Sequence, residues 1–367
     1  MLWTTVSRTR FSVQQLERPI VQAPMGGGPS TPALAAAVSE AGGLGFLAAG
    51  YKAPEAVRAD VEALRELTGR PFGVNVFAAP GPPADSVAVA AYAAALEAQA
   101  ERYGVPVGAP RHDDDGLDAK LALLAELGVP VVSFTFGCPG TAVASRLHDA
   151  GVALWMTVTT PAEARQAEGA GADALVVQGV EAGGHRGSFD DAAPGEIGLI
   201  ALLQLVRAVS GLPLVATGGL ATGRAVAAVL ALGASAAQLG TAFMLCPEAA
   251  TAPAHRGAIE GDGETALTRA FTGRLARGVA NRWMAEHGAG APSAYPDVHH
   301  LTAGIRAAAR EQGDPDGFHL WAGQAHALAM PVPAGELVRR LAAEAQAVLH
   351  GLSQMQEGRG EGRTPAP

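Results

Sequence analysis

Between Pro19 and residue 249, eight short apolar runs alternate with longer segments that have a helical pattern. Each run is almost continuously apolar, which is typical of a strand buried on both faces of a parallel sheet. Thr31-Pro32 and Thr160-Pro161 supply an N-cap followed by a proline at the start of two intervening helices. The predicted strands cover residues 20–23, 44–48, 72–77, 131–136, 153–158, 174–178, 214–216 and 236–239. Eight strands with helical crossovers predict an α/β fold, the (β/α)8 TIM barrel.

The barrel is expected to occupy residues 1–249 and to carry two additions. The third crossover, residues 78–130, is long and holds an Ala-rich helical segment and the acidic turn Asp113-Asp-Asp115. Residues 250–352 predict a mainly helical extension that lies over the barrel mouth as a lid. The last residues, 353–367, are charged and rich in glycine and proline, which predicts a disordered tail.

The charge balance favours a small-molecule ligand over a nucleic acid. The chain has 26 Lys and Arg against 35 Asp and Glu, whereas nucleic-acid binders usually present a basic face. Its two cysteines, Cys138 and Cys246, form neither a disulfide framework nor a zinc pattern, which favours a reducing cytoplasm. The sequence shows neither a signal peptide nor an uninterrupted apolar stretch of about 18 residues, so no membrane partner is predicted. The oligomeric state stays open, with a homodimer as one alternative.

In a barrel of this kind the active site lies at the carboxyl ends of the strands. Those ends carry amides, hydroxyls, glycines and one histidine, but few carboxylates: Asn75, Thr135, Thr157, Gln178, His185, Thr217 and Gln238. A metal hydrolase needs clustered His, Asp and Glu ligands, and a glycosidase needs a pair of carboxylates. The sequence therefore disfavours both classes and predicts no metal site.

The seventh and eighth strands end in Gly218-Gly219 and Gly240-Thr241. This is where (β/α)8 barrels often hold a phosphate group on backbone N–H groups and a helix N-terminus. Glycine lets the backbone approach the anion, and Thr241 adds a hydroxyl donor. The alternative is that these glycines only make tight turns, but their presence on both strands favours a phosphate site.

Several motifs, in order, resemble those of the nitronate monooxygenases, formerly called 2-nitropropane dioxygenases. They run from about residue 10 to residue 330, and no single motif would carry the resemblance alone. The motifs are Gln22-Ala-Pro-Met-Gly-Gly-Gly28, Ala41-Gly-Gly-Leu-Gly45, Phe72-Gly-Val-Asn-Val-Phe77, Gln178-Gly-Val-Glu-Ala-Gly-Gly-His-Arg-Gly187, Ala216-Thr-Gly-Gly-Leu220, Gln238-Leu-Gly-Thr-Ala-Phe243, Phe271-Thr-Gly-Arg-Leu-Ala-Arg-Gly278 and Leu320-Trp-Ala-Gly-Gln324.

The resemblance implies an FMN-dependent barrel that oxidises alkyl nitronates, such as propionate 3-nitronate, with O2 to carbonyl products and nitrite. His185 matches the active-site histidine of the family, the base for neutral nitroalkanes, and would orient a nitronate that arrives deprotonated. Thr135, Trp321 and Gln324 would border the substrate. Cofactor contacts are implied for Pro24, Met25, Gly26, Asn75, Gln178, Gly183, Gly218, Gly219, Gln238, Leu239, Gly240 and Thr241.

One position departs from the family pattern. Many members carry a histidine where this chain has Thr135, in Ser133-Phe-Thr-Phe-Gly137. Threonine can donate a hydrogen bond but cannot hold a positive charge, so nitronate affinity or substrate choice is expected to differ.

Two alternatives stay open beside nitronate oxidation. Related FMN barrels are NAD(P)H-dependent reductases of quinones or of enoyl thioesters, and a non-catalytic barrel could bind a flavin or a phosphate ligand.

Some polar residues also have a second interpretation. His185 could be a solvated loop histidine paired with Glu181, and Arg274 and Arg277 could close the mouth or pair inside the extension. Asp113 to Asp115 are interpreted as a solvated turn, Cys138 as an unreactive thiol, and His299 and His300 as lid or surface residues.

Overall fold

The computed structural model of the chain describes residues 9–78, 80, 81 and 83–360, with side chains up to residue 354. Eight strands form one parallel sheet: β1 (Ile20–Gln22), β2 (Gly45–Ala48), β3 (Phe72–Phe77), β4 (Val131–Thr135), β5 (Ala153–Val158), β6 (Ala174–Gln178), β8 (Leu214–Thr217) and β9 (Ala236–Leu239). Their order in the sheet is β1-β9-β8-β6-β5-β4-β3-β2. Val21 of β1 bridges Leu44, just before β2, in parallel, and this contact closes the barrel. The predicted (β/α)8 barrel is confirmed, with all eight strands where the apolar runs lie.

Helices connect the barrel strands and cover their outer faces. Thr31 caps α1 by accepting a hydrogen bond from Leu34 N at 3.0 Å, and Thr160 caps α7 in the same way from Glu163 N at 3.2 Å. The helices up to the end of the barrel are α1 (Pro32–Glu40), α2 (Pro54–Leu67), α3 (Ser86–Ala95), α4 (Glu97–Tyr103), α5 (Leu117–Leu127), α6 (Thr141–Asp149), α7 (Pro161–Gly169), α8 (Leu199–Arg207) and α9 (Gly223–Ala231). In the described ranges no helix is both long and apolar enough to cross a membrane.

The barrel interior is filled by side chains at the amino-terminal side of the strands. Phe46 and Trp155 are fully buried there, with ring centroids 5.7 Å apart, beside the valines of the neighbouring strands. A packed plug at this end leaves open space only where the strands end, at the opposite side.

The long third crossover and the extension share a second apolar core. Tyr92 of α3 donates a hydrogen bond to Ala270 O at 2.6 Å, and Tyr103 of α4 donates to Asp314 Oδ2 at 2.7 Å. Both tyrosines belong to a buried cluster with Phe271, Trp283 and Phe318 of the extension. The insertion in the third crossover is therefore a support for the extension.

The extension contains strands as well as helices. Its helices are α10 (Pro253–Glu260), α11 (Arg282–His287), α12 (Asp297–Glu311) and α13 (Ala334–Gly360). A three-stranded antiparallel sheet joins it to the barrel, in the order β10-β11-β7. Its strands are β7 (Gly184–His185), β10 (Thr265–Thr268) and β11 (Ala276–Val279).

The last helix departs from the expected domain limits. Leu337, Val338 and Leu341 of α13 are buried in the same core cluster as the barrel helices, against α9 and α1. α13 therefore completes the outer layer of the barrel instead of covering its mouth, although most of it lies within residues 250–352. The helix also continues to Gly360, eight residues into the segment 353–367 that was predicted to be disordered, and residues 361–367 lie outside the described part.

Candidate active site

A cavity of about 390 Å3 lies at the carboxyl ends of the barrel strands, in the usual size range of ligand sites. Helix α12 contributes Ala303, Arg306, Ala307 and Arg310 to its wall, so this helix covers the mouth. The cavity brings together fifteen of the predicted site residues: Pro24, Met25, Gly26, Asn75, Thr135, Gln178, Gly183, His185, Gly218, Gly219, Gln238, Leu239, Gly240, Thr241 and Trp321.

Gln324 is the predicted site residue that does not line the cavity. Its side chain is exposed, and only its backbone N–H is engaged, in a hydrogen bond to Glu181 O at 3.0 Å. The assignment of Gln324 to the substrate pocket is therefore corrected.

The ends of β8 and β9 form a wall of bare backbone. Gly218 and Gly219 have φ angles of +118° and +68°, which L side chains rarely adopt. A Cβ at Gly218 would lie 3.1 Å from Gly179 O. Within the described chain, the backbone N–H groups of Gly219, Leu220 and Gly240 have no hydrogen-bond acceptor. Unused N–H groups at the ends of two neighbouring strands match what an anionic phosphate needs.

Three buried side-chain amides line the cavity, and they differ in how many of their hydrogen bonds are already made within the protein. Asn75 donates through Nδ2 to Ser133 Oγ at 2.9 Å and to Thr135 Oγ1 at 3.0 Å, so its Oδ1 stays available. The side chain of Gln238 has no partner among the described residues. Gln178 is largely engaged: its Oε1 accepts from Gly187 N and Arg186 Nη1, and its Nε2 donates to His185 O at 3.0 Å. Gln178 therefore mainly fixes the loop that carries His185.

His185 is positioned by strand pairing as well as by Gln178. It lies on β7, where Ala276 of β11 is its register partner. Its Nε2 is 2.9 Å from Thr272 Oγ1, and this hydroxyl donates to Arg274 O at 3.3 Å. Since the hydroxyl proton is used there, the oxygen accepts from His185 Nε2–H, which leaves Nδ1 as the acceptor atom. Burial and, next, the positive charge of Arg274 lower the pKa of His185 to about 3.

Aromatic rings enclose His185 on three sides. The ring centroids of Phe136 and Trp321 each lie 5.6 Å from that of His185, and the centroid of Tyr295 lies at 6.1 Å. The guanidinium of Arg274 lies over the ring of Phe136, with its central carbon 3.9 Å from the ring centroid. Arg274 therefore lies inside the extension next to the site, and it acts on His185 through its charge.

Arg277 has a structural position. Its Nε donates to Val180 O at 3.1 Å and its Nη1 to Thr265 Oγ1 at 3.2 Å. It therefore ties the β6–β7 loop to β10. Neither Arg274 nor Arg277 has an ion-pair partner in the described part of the chain, so the predicted pairing inside the extension is not seen; both arginines donate to backbone carbonyls near β7 instead.

The extension supplies seven polar residues that the strand-end rule did not find. They line the same cavity: His255, Thr272, His299, Arg306, Arg310, His319 and His326. Burial lowers the pKa of His255 to about 4 and that of His299 to about 2, so both imidazoles are neutral near pH 7. For Arg306 and Arg310 the sequence holds one signal: their spacing with Ala303 and Ala307 places the four residues on one face of a helix. The sequence holds no comparable signal for the histidines.

The acidic turn differs from its sequence interpretation. Asp115 is half-buried, pairs with the fully buried Lys120 at 2.6 Å and accepts a hydrogen bond from Tyr51 N at 3.1 Å. This arrangement fixes Tyr51, whose ring stacks on His299 with centroids 4.0 Å apart at the cavity edge. Nowhere in the described ranges do three or more His, Cys, Asp or Glu residues come together as metal ligands.

The family model described as nitronate monooxygenase matches residues 10–344. A nitronate monooxygenase of Pseudomonas aeruginosa is 43% identical over 339 residues, which are 90% of this chain and 96% of that protein. One of Paraburkholderia phytofirmans is 40% identical over 360 residues, 95% of this chain and 98% of that protein.

Solved structures are similar to the chain over nearly its whole length. A nitroalkane oxidase from Streptomyces ansochromogenes is 52% identical, with a TM-score of 0.89 over 93% of this chain and 99% of its own. FabK from Thermotoga maritima is 28% identical, with a TM-score of 0.74 over 94% of this chain and 98% of its own. By sequence over nearly its whole length and by structure, the chain belongs to the nitronate monooxygenase family.

Proposed function

We propose that this chain binds FMN and uses O2 to oxidise alkyl nitronates, propionate 3-nitronate among them, to carbonyl compounds and nitrite. The observation that carries the proposal is the composition of the cavity. A wall of bare backbone and amides stands on the barrel side, and several histidines with two arginines stand on the other sides. Among the described lining residues there is no carboxylate, so the cavity favours anionic ligands such as a flavin phosphate and a nitronate.

The residues present fit a flavin mononucleotide. The N–H groups of Gly219, Leu220 and Gly240 would hold the phosphate, and Thr241 lies beside them. Asn75 Oδ1 and the free amide of Gln238 would meet the polar edge of the ring system. When bound, the flavin supplies the redox chemistry, accepting electrons from the nitronate and passing them to O2.

His185 would act in two ways, depending on the substrate. Its Nδ1 is the acceptor atom, so it can take the α-proton of a neutral nitroalkane. A nitronate has already lost that proton, and for this substrate a neutral His185 places the anion without repelling it. The aromatic enclosure by Phe136, Tyr295 and Trp321 excludes water from the reacting carbon.

The test uses the purified protein with three readouts. Cofactor released by denaturation should be FMN by mass spectrometry, and propionate 3-nitronate should drive O2 uptake with nitrite formation. The FabK likeness makes a reductase the rival, so NADH oxidation with a quinone is measured anaerobically as well. Fast NADH oxidation without nitronate-dependent O2 uptake would overturn the proposal. A protein that neither carries nor binds FMN would point to the non-catalytic or flavin-free barrel.

A further inference from the structure

A second cavity, of about 490 Å3, adjoins the active-site cavity on the side of the third crossover. Three side chains line both cavities and form a ring wall between them: Tyr51, Phe77 and His299. The ring of Tyr51 stacks on that of His299, with centroids 4.0 Å apart, and meets the ring of Phe77 edge-on at 5.3 Å. Because Tyr51 contacts both of the other rings, it is the centre of the wall.

The second cavity, called the outer cavity below, comes within one side chain of His185. Tyr295 lines the outer cavity, and its ring centroid lies 6.1 Å from that of His185. On its other side the outer cavity reaches the surface, since Ala53, Arg111 and Asp114 of its lining are exposed. The proposed phosphate contacts lie at the ends of β8 and β9, whereas the ring wall follows β2 and β3. An alkyl chain that extends toward the wall from a carbon held beside His185 therefore meets the wall before it reaches the outer cavity.

Backbone strain is concentrated around the ring wall. Of the non-glycine residues in the described ranges, three have a positive φ: Tyr51 at +65°, Asp115 at +57° and Phe136 at +80°. Tyr51 belongs to the wall, Asp115 holds Tyr51, and the ring of Phe136 packs on Phe77 with centroids 4.7 Å apart. Bulky residues stay in this backbone region only where the surrounding structure holds them, and such residues cluster at functional sites. The strain therefore indicates that the position of the wall matters for function.

A buried ion pair fixes the backbone of Tyr51. Both carboxylate oxygens of Asp115 accept a hydrogen bond from Tyr51 N, at 3.1 and 3.2 Å. Asp115 pairs in turn with Lys120 at 2.6 Å, and the lysine side chain is 1% exposed. Burying a lysine is costly, and a buried ion pair often adds little net stability. What the pair does achieve here is to hold the Tyr51 ring in one place.

We propose that Tyr51 is a specificity-determining residue that limits the length of the alkyl chain of the substrate. With its ring in place, the active site takes short-chain nitronates and the outer cavity is closed to them. Without the ring the two cavities join, and longer chains can lie against Ala53, Pro54 and Pro296 of the outer cavity. The inference rests on the proposed function for the identity of the reacting group, whereas the length limit can be measured by binding alone.

O2 uptake with the straight-chain nitronates from nitroethane to nitrooctane tests the limit. Each additional buried methylene group should raise kcat/KM about fourfold until the chain meets the wall, where the wild-type value should drop about tenfold. In Tyr51→Gly the rise should continue past that length, and glycine suits a φ of +65°. Tyr51→Phe keeps the ring and should keep the limit. The same limit in wild type and Tyr51→Gly would overturn the proposal.

Two further variants keep the test valid if Tyr51→Gly does not fold. Phe77→Ala removes another ring of the same wall and should also move the limit to longer chains. Phe11→Ala removes an equal ring at the amino-terminal side of the barrel, lines neither cavity and should leave the limit unchanged. An equal shift in Phe77→Ala and Phe11→Ala would contradict the assignment of the limit to the wall.

Calorimetric titration of the flavin-loaded protein with straight-chain carboxylates, from propionate to octanoate, measures the limit without turnover. Affinity should rise with chain length and then fall in the wild type, but keep rising in Tyr51→Gly. A limit that moves in these titrations, in a protein that oxidises no nitronate, keeps the wall and overturns the function. Nitronate oxidation with the same limit in wild type, Tyr51→Gly and Phe77→Ala keeps the function and overturns the role of the wall.

Discussion

His185 combines a basic atom with an environment that opposes its protonation. Burial and the charge of Arg274 hold its pKa near 3, so the free imidazole is a weak base at neutral pH. An anion bound beside it would raise that pKa, because a negative charge favours the imidazolium. A neutral nitroalkane brings no such charge. The side chain is thus better suited to receive a nitronate than to generate one.

His185→Asn should separate the two substrate classes. For neutral nitroalkanes kcat/KM should fall by about 10² or more, the usual contribution of a general base. For preformed nitronates the loss should stay within about tenfold, since no proton has to be taken. Steady-state O2 uptake with both forms of the same nitroalkane measures this. Equal losses would contradict the assignment of His185 as the base.

Thr272 should act through the tautomer of His185. Thr272→Val removes the acceptor for Nε2–H, so the proton can move to Nδ1 and block the basic atom. Turnover of neutral nitroalkanes should fall several-fold, and its pH profile should change. Thr272→Ser keeps the hydroxyl and should restore both. A Thr272→Val enzyme with the rate and pH profile of wild type would show that the hydroxyl does not set the tautomer.

At the level of elements, the ends of β8 and β9 carry the proposed phosphate contacts, and their glycines can be tested against a matched position. Gly218→Ala and Gly233→Ala both place alanine at positive φ, +118° and +89°, which costs about 1 kcal/mol or more of stability. At Gly233 a Cβ meets open space, whereas at Gly218, which lines the cavity, it meets the Gly179 carbonyl. Flavin content after purification should therefore fall only in Gly218→Ala. Equal flavin content in the two variants would argue against a phosphate on this wall.

The barrel side of the site could be predicted from the sequence because one rule covers it. Most apolar runs carry a polar residue or a glycine at or near their carboxyl ends, and parallel strands bring those ends to one edge, which places Asn75, Gln178 and Gln238 together. No comparable rule covers the extension. Arg306 and His319 reach the cavity through the packing of α12 against α3 and α4, and that packing depends on contacts between segments about two hundred residues apart.

For the whole molecule, the two apolar cores do not follow the order of the segments along the chain. Helix α13 follows the extension but packs with α1 and α9, as its buried Leu337 and Leu341 show. The sequence predicted a mainly helical extension over residues 250–352, but not which surface its last helix would cover. An amphipathic stripe indicates that one face of a helix is buried, but it does not identify the surface against which that face packs.

Stability should fall in mild acid because buried histidines are kept neutral. Burial lowers the pKa of His255 to about 4 and that of His319 well below its usual 6.5. Their folded pKa values lie below those of the unfolded chain, so the unfolded chain binds more protons below about pH 6.5. Stability is therefore fully present above that pH and is lost as the pH falls toward 4, by up to about 1.4 kcal/mol per pH unit for each imidazole.

Urea unfolding at pH 7, 6 and 5 measures this dependence. His255→Gln should make the decline between pH 6 and pH 5 shallower, whereas His350→Gln, at an exposed position, should leave it unchanged. The same decline in wild type and His255→Gln would show that carboxylates alone cause the loss in acid.

The extension covers the active site, and the pairing of β7 with β11 links this extension to the position of His185. His185 is held on the strand that joins the barrel to the extension, and its Nε2 acceptor, Thr272, belongs to the extension itself. Lifting the extension to admit a substrate or to release a product would break both contacts at once. With His185 as the proposed base, an opened enzyme would lack a correctly placed acceptor for the proton, and we expect proton abstraction to be confined to the closed state, where bulk water cannot quench the carbanion.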